Sequence, residues 1–361
     1  MRKGICALAA AGLLATGGVA ACGRQKDGPG NGTKAQVGVI LPDTRSSARW
    51  ESADLKYLTE AFAAAGVTAE IKNAQGDKAL FQTIADGMIQ SGVEVLMIVN
   101  LDSGTGKNVL DNARKAGIRT IDYDRLTLNG GADYYVTFDN VEVGRLQGQG
   151  LVDCLTAAGV TKPVVSYLNG SPTDNNATQF KTGYHSVLQP RFDSGEYLQG
   201  PDQDVPEWDN ARGGTIFEQQ LTRNNRIAGV IAANDGVANA VIEVLKKNKL
   251  NGTVPVTGQD ATVQGLQNIL AGDQCMTVYK AIDKEAAAAA GLAAALVKGQ
   301  TPTATGLITD PQTNQPVKSV LLQPVAVTRE NMRTVVDDGY VTKAELCTGA
   351  FEKACAEAGI S

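Results

Sequence analysis

A single histidine, His185, occurs in 361 residues. That scarcity excludes a multi-histidine zinc site and makes a histidine-served triad a poor fit. None of the six cysteines forms a C-x-x-C pair, so dithiol redox catalysis has no motif to stand on. Lysine and arginine form no long run, and the net charge of −5 argues against a nucleic-acid surface. The apolar stretch Ile5–Ala15 is too short to span a bilayer as a stable anchor. Tryptophan occurs only twice, each time among charges: Arg49-Trp50-Glu51 and Glu207-Trp208-Asp209. A core indole normally has apolar chain neighbours. These two point to flat apolar faces beside hydrogen-bonding groups, a pairing suited to a sugar ring. The plainer alternative is an amphipathic rim tryptophan with its N–H wet.

What is present starts with an export signal. Arg2 and Lys3 precede the apolar stretch, which leads to Val19-Ala20-Ala21-Cys22, similar to a bacterial lipobox. The expectation is a lipoprotein signal peptide over residues 1–21, with Cys22 as the lipidated N-terminus. Acyl chains would hold the protein at the membrane, since each buried CH₂ contributes about 0.8 kcal/mol. Residues 22–35, rich in glycine and polar groups, read as a flexible tether. Export favours disulfides among Cys154, Cys275, Cys347 and Cys355, which allow three connectivities. The closeness of Cys347 to Cys355 favours pairing those two, leaving Cys154 with Cys275.

At this length two lobes are the default. Strand-like runs at Val37–Leu41, Ala69–Lys72, Val93–Val99, Thr120–Tyr123 and Tyr134–Phe138 alternate with helical spacings. A second series follows at Val164–Leu168, Glu196–Gln199, Ile227–Ala232, Val254–Thr257 and Met276–Tyr279. Two successive βα series predict an α/β protein with two doubly wound parallel-sheet lobes. Ala281–Val297 predicts a helix, Val317–Val327 one or two strands, and Arg329–Asp338 a last helix. Ligands of such sheets bind beyond the carboxyl ends of the strands. There the sequence sets Arg49 and Trp50, Asp124 and Arg125, Asp174 and Asn176, Trp208, Asn234, Asp260 and Lys280.

Competing chemistries lack their motifs. Ser103-Gly104-Thr105-Gly106-Lys107-Asn108 misses the first glycine and the final Ser or Thr of a phosphate loop, so a helix-capping turn is expected. Leu41-Pro42-Asp43 stands where a dinucleotide fingerprint would begin, and Gly170-Ser171-Pro172 is no nucleophile elbow. Asp124, Asp174 and Asp260 could supply a glycosidase pair, but neighbouring cations and amides would keep them ionised. A sugar-processing enzyme therefore stays the alternative, together with a sensory binding protein presented to a membrane receptor.

Taken in order, Arg49-Trp50, Tyr123-Asp124-Arg125, Phe138-Asp139-Asn140, Gly170 to Ala177, Asn234-Asp235, Gly258 to Ala261 and Met276 to Lys280 resemble the bacterial xylose-binding solute receptors of ABC importers, within the periplasmic-binding-protein family. The resemblance runs roughly from Gln36 to Tyr340. It implies the type I fold of that family, with a three-segment hinge near Asp139, Lys280 and Pro324. It implies an N-terminal lobe of 36–139 and 281–324, a C-terminal lobe of 140–280 and 325–345, and a tail of 346–361 with no assigned role. It puts sugar contacts on Arg49, Trp50, Asp124, Arg125, Asp174, Asn176, Trp208, Asn234, Asp260 and Lys280. It further implies capture of a monosaccharide, D-xylose or another aldopentose first, delivery to an ABC permease, and a monomer at the outer face of the cytoplasmic membrane. No cofactor, metal or catalytic residue is implied.

Overall fold

The computed structural model describes residues 34–360. The signal peptide, Cys22 and nearly all of the tether expected from the sequence lie outside them.

Continuous apolar runs become strands buried on both faces, as a parallel sheet covered by helices requires. Strand β1 (Val37–Leu41) is one such run, buried at every position. It leads through a single wide helical turn, Trp50–Asp54, into helix α1 (Leu55–Ala65). Then follow β2 (Ala69–Asn73), α2 (Lys78–Ser91), β3 (Val95–Ile98), α3 (Ser103–Lys115), β4 (Arg119–Tyr123) and β5 (Tyr134–Phe138). The glycine-rich stretch Ser103–Asn108 is the opening of α3, capped by Asp102. A second series comprises α4 (Asn140–Ala157), β6 (Val164–Asn169), α5 (Asn175–Asp193), β7 (Leu198–Asp204), α6 (Asn210–Arg223), β8 (Ile227–Ala232), α7 (Asp235–Lys247), α8 (Val263–Ala271) and β9 (Thr277–Tyr279). The chain continues with α9 (Ile282–Val297), β10 (Gly306–Thr309), β11 (Pro316–Leu322), β12 (Val325–Val327) and short helices α10 (Arg333–Asp337), α11 (Lys343–Leu346) and α12 (Glu352–Glu357).

The first sheet has seven strands in the order β10-β11-β5-β4-β3-β1-β2, all parallel except the β10–β11 edge pair. The second has three, β7-β6-β8, both pairs parallel, while β9 and β12 form a separate antiparallel pair. The chain passes between these sheets after Asp139, around Lys280 and at Gln323-Pro324, because β5 and β11 belong to the first sheet and β9 and β12 do not.

Four expectations change. The expected strand Glu196–Gln199 runs instead as Leu198–Asp204, a mostly polar edge strand whose Pro201 is tolerated there. Val254–Thr257 makes only an isolated parallel bridge, Val256 to Val230. The helix expected over Arg329–Asp338 shrinks to Arg333–Asp337 and is not the last, since α11 and α12 follow it. Strand β10 was not expected, since a four-residue edge with alternating exposure gives little apolar signal.

Cys154 is bonded to Cys275 and Cys347 to Cys355. The second bond closes a short loop within the tail, whose Leu346, Cys355 and Ile360 are buried against Leu266, Ile269 and Leu270 of α8. Among the described residues no helix is long and apolar enough to cross a membrane.

Candidate sugar-binding cleft

Loops beyond the carboxyl ends of β1, β4, β6, β7, β8 and β9 converge on one cavity between the sheets. Its lining includes all ten residues singled out by the sequence: Arg49, Trp50, Asp124, Arg125, Asp174, Asn176, Trp208, Asn234, Asp260 and Lys280. Gln259, which the sequence sets beside Asp260 at the same strand edge, and Ser46, Ser47 and Phe180, which the sequence reading did not single out, complete it. Each had a faint signal. Ser46 and Ser47 share the loop of Arg49, Gln259 adjoins Asp260, and Phe180 stands one helical turn after Asn176.

Arg49 organises the first-sheet side. Its guanidinium, in a residue only 2% exposed, donates Nε and Nη2 to Asp54 at 2.8 Å each. Nη2 also reaches Glu285 at 3.0 Å, and Nη1 reaches Asp124 at 2.8 Å. Arginine has five N–H donors, so one on Nη1 is left over at the cavity wall. Burial pushes the Asp124 carboxyl up, but Lys280, Arg49 and Arg125 together outweigh it and hold the group well below the ordinary carboxylate range. Desolvation and the nearby Asp124 charge instead drive Glu285 well above its ordinary value.

Lys280, in the crossover after β9, lies 3.5 Å from Asp124 and 3.3 Å from Asp260 and joins carboxylates from the two sides. Other bonds cross directly. The Ser47 hydroxyl donates to Asp260 at 2.8 Å, Asn234 Nδ2 to the Ser46 carbonyl at 3.0 Å, and Asn176 Nδ2 to the Asp124 carbonyl at 2.8 Å. The cleft is therefore closed. About 30 Å³ of space remains between the lining side chains.

The indoles are more enclosed than their charged chain neighbours suggest, at 2% exposure for Trp50 and 5% for Trp208. Both N–H groups are spent inside the protein, Trp50 on the Ser46 hydroxyl and Trp208 on Asp174, each at 3.1 Å. Guanidinium carbons of Arg49 and Arg125 lie 4.5 and 5.4 Å from the Trp50 ring, so this indole already carries cation–π contacts. Trp208 sits edge-on to Phe180. It packs so tightly on Gly170 that a Cβ there would collide with the ring.

Asp174 differs from Asp124 in the direction in which its surroundings act. Desolvation is its largest influence and outweighs Arg125, so its carboxyl is raised. Asn234 is also less free than expected, because its Oδ1 caps α7 through the Val237 N–H at 2.9 Å. Three buried atoms of the lining lack hydrogen bonds: Arg125 Nε, Gln259 Oε1 and Asp260 Oδ1. Arg125 and Asp260 do have opposite charges within 3.1 and 3.3 Å, but without hydrogen-bond alignment. Donors and acceptors left in this way are costly. They suit a ligand whose hydroxyls both give and accept.

Comparison with known proteins identifies the family. Residues 37–301 match the periplasmic binding protein domain family. The chain is 35% identical to the D-xylose-binding periplasmic protein of Escherichia coli (strain K12), over 87% of this chain and 93% of that one. It is 34% identical to a multiple sugar-binding periplasmic receptor of Rhizobium radiobacter, over 86% and 92%. A carbohydrate transporter solute binding protein from Chloroflexus aurantiacus, solved in complex with D-glucose, superposes with a TM-score of 0.78 at 30% identity, covering 86% of this chain and 98% of that one. With the type I fold and this match across most of its length, the chain belongs to the periplasmic-binding-protein family.

Proposed function

We propose that this protein is an exported sugar receptor of an ABC importer. It captures a monosaccharide, D-xylose or a related aldopentose first, by closing two lobes around it and hands it to a membrane permease. The observation that carries the reading is the closed cavity with Arg125 Nε, Gln259 Oε1 and Asp260 Oδ1 buried and without hydrogen bonds. Asp124, Asp174 and Asp260 would accept from sugar hydroxyls, and Arg49, Arg125 and Lys280 would donate to them. Asn176 and Asn234 would add amide contacts, and Trp50 and Trp208 would flank the ring. The similarity to sugar-binding transport proteins supports the same reading.

The proposed lobes are 36–139 with 281–324 and 140–280 with 325–345. Contacts from both sides make a sugar bind the closed form better, which shifts the hinge equilibrium toward closure. The lipid anchor at Cys22, placement at the outer face of the cytoplasmic membrane and action as a monomer are parts of the proposal that rest on the sequence.

Thermal-shift screening over pentoses and hexoses tests it, since a ligand that binds only the folded state raises its melting temperature. D-xylose or another aldopentose is expected to give the largest rise. X-ray scattering should then show compaction with that sugar; no compaction with any sugar would count against lobe closure.

A further inference from the structure

Asp235 follows the site residue Asn234 but does not line the cavity. It is fully buried. Its Oδ1 accepts from Gln274 Nε2 and the Thr277 hydroxyl, both at 2.8 Å. Its Oδ2 accepts from the Thr262 backbone N–H at 2.8 Å and the Thr262 hydroxyl at 3.0 Å. A carboxylate offers about four acceptor positions, so none is left for a ligand. The backbone N–H of Asp235 meanwhile donates to the Gln259 carbonyl at 2.9 Å.

These bonds grip both flanks of a two-residue stretch in the left-handed region, Asp260 at φ 95° and Ala261 at φ 48°. Non-glycine residues hold such angles only when their surroundings over-determine them. Beneath the stretch, Gly258 and Gly265 lie flush against the Asp235 carboxylate, so that a Cβ on either would strike its oxygens. The Asp260 N–H donates to the Val278 carbonyl at 2.8 Å, and the Ala261 N–H meets the Thr277 hydroxyl at 3.3 Å. Thr277 is thus shared between the clamp and the strained stretch.

We infer that Asp235 is a positioning residue for sugar binding: it clamps the loop from Gly258 to Thr262 and so fixes where the Asp260 carboxylate stands in the cleft. The inference rests on the sugar-receptor reading above. Keeping a carboxylate here is unfavourable in itself, since burial pushes Asp235 up to about 7 in spite of its donors. Asparagine would relieve that penalty, keep both bonds from Thr262 and donate to the Thr277 hydroxyl, while Gln274 Nε2 would keep its bond to the Met276 carbonyl at 3.1 Å and give up the one to residue 235. Alanine would leave the donors of Thr262, Gln274 and Thr277 unmet.

The test is a double-mutant cycle read by titration calorimetry, with the tightest binder among D-xylose, L-arabinose, D-ribose and D-glucose. Asp235→Ala is expected to weaken binding tenfold or more in the parent, and less than threefold in an Asp260→Asn background. Asp235→Asn should stay within threefold of the parent. If Asp235→Ala does not fold, Thr277→Val removes one donor to Asp235 and the acceptor of the Ala261 N–H and carries the same cycle, with an expected loss of threefold or more confined to the Asp260 background. Unchanged affinity, or an equal loss in both backgrounds, would overturn the clamp. A parent that binds none of the four sugars would instead bring down the sugar reading and this inference with it.

Discussion

Arg49 and Asp124 meet at 2.8 Å in the cleft, and the same guanidinium also holds Asp54 and Glu285, two carboxylates with no access to solvent. The arginine thus binds three buried acids at once, and burial together with the nearby Asp124 charge drives one of them, Glu285, well above its ordinary value. Removing one partner of a buried ionic cluster typically costs about 3–5 kcal/mol, because the remaining charges stay buried. Arg49→Met should lose stability on that scale in urea unfolding at neutral pH. A loss below about 1 kcal/mol would show that the acids do not depend on it.

The indoles can be told apart by fluorescence. With Trp50 replaced by phenylalanine, emission comes from Trp208 alone. Sugar is expected to shift that emission, because Trp208 lines the cavity through its contact with Asp174. Emission unmoved by a sugar that binds would remove Trp208 from the site.

Stability should fall as pH rises from about 5 to 8. Burial raises Asp122 to about 7 and Asp235 to about 7, far above the usual value near ~3.9. Between these limits the folded chain holds more protons than the unfolded one. By linkage, stability then declines with pH and stays low above the folded pKa. Asp122→Asn keeps the contacts with Thr127 and should flatten the slope measured by urea unfolding at pH 5, 6, 7 and 8. An unchanged slope would mean that Asp122 does not titrate there.

The two disulfides should differ in worth. Loop-closure entropy assigns about 5 kcal/mol to a bond spanning 121 residues and about 2.5 kcal/mol to one spanning 8. Cys154→Ser with Cys275→Ser is therefore expected to lower the urea midpoint more than Cys347→Ser with Cys355→Ser. The reverse order would mean that docking of the tail on α8 matters more than chain entropy.

Much of the fold was legible because buried strands such as Val37–Leu41, Tyr134–Phe138 and Ile227–Ala232 are mostly apolar runs. Their boundaries follow directly from composition. Polar edges were not legible. Leu198–Asp204 and Gly306–Thr309 take their strand conformation from a neighbour rather than from their own side chains. The cavity lining was readable because polar residues follow apolar strands at one edge. That signal mixes two physical roles: Asp139, Asp174 and Asn234 cap helices α4, α5 and α7, whatever else they do. The burial of both tryptophans could not be read from their charged chain neighbours. Arg49 and Arg125 cover Trp50, and Gly170 backs Trp208, contacts made across the fold. Asp235 was visible only as part of an Asn-Asp pair, since its partners at 262, 274 and 277 come together only in the folded chain.

The central claim is that the closed cavity holds a sugar through its charged groups. Calorimetric titration of the protein and of Asp260→Ala with D-xylose tests it most directly. Hydrogen bonds to charged groups contribute about 1.5–3 kcal/mol, so the account predicts one-to-one binding that weakens by roughly one to two orders of magnitude in the variant. An equal affinity in parent and variant, or no heat with D-xylose or any other pentose or hexose, would contradict it.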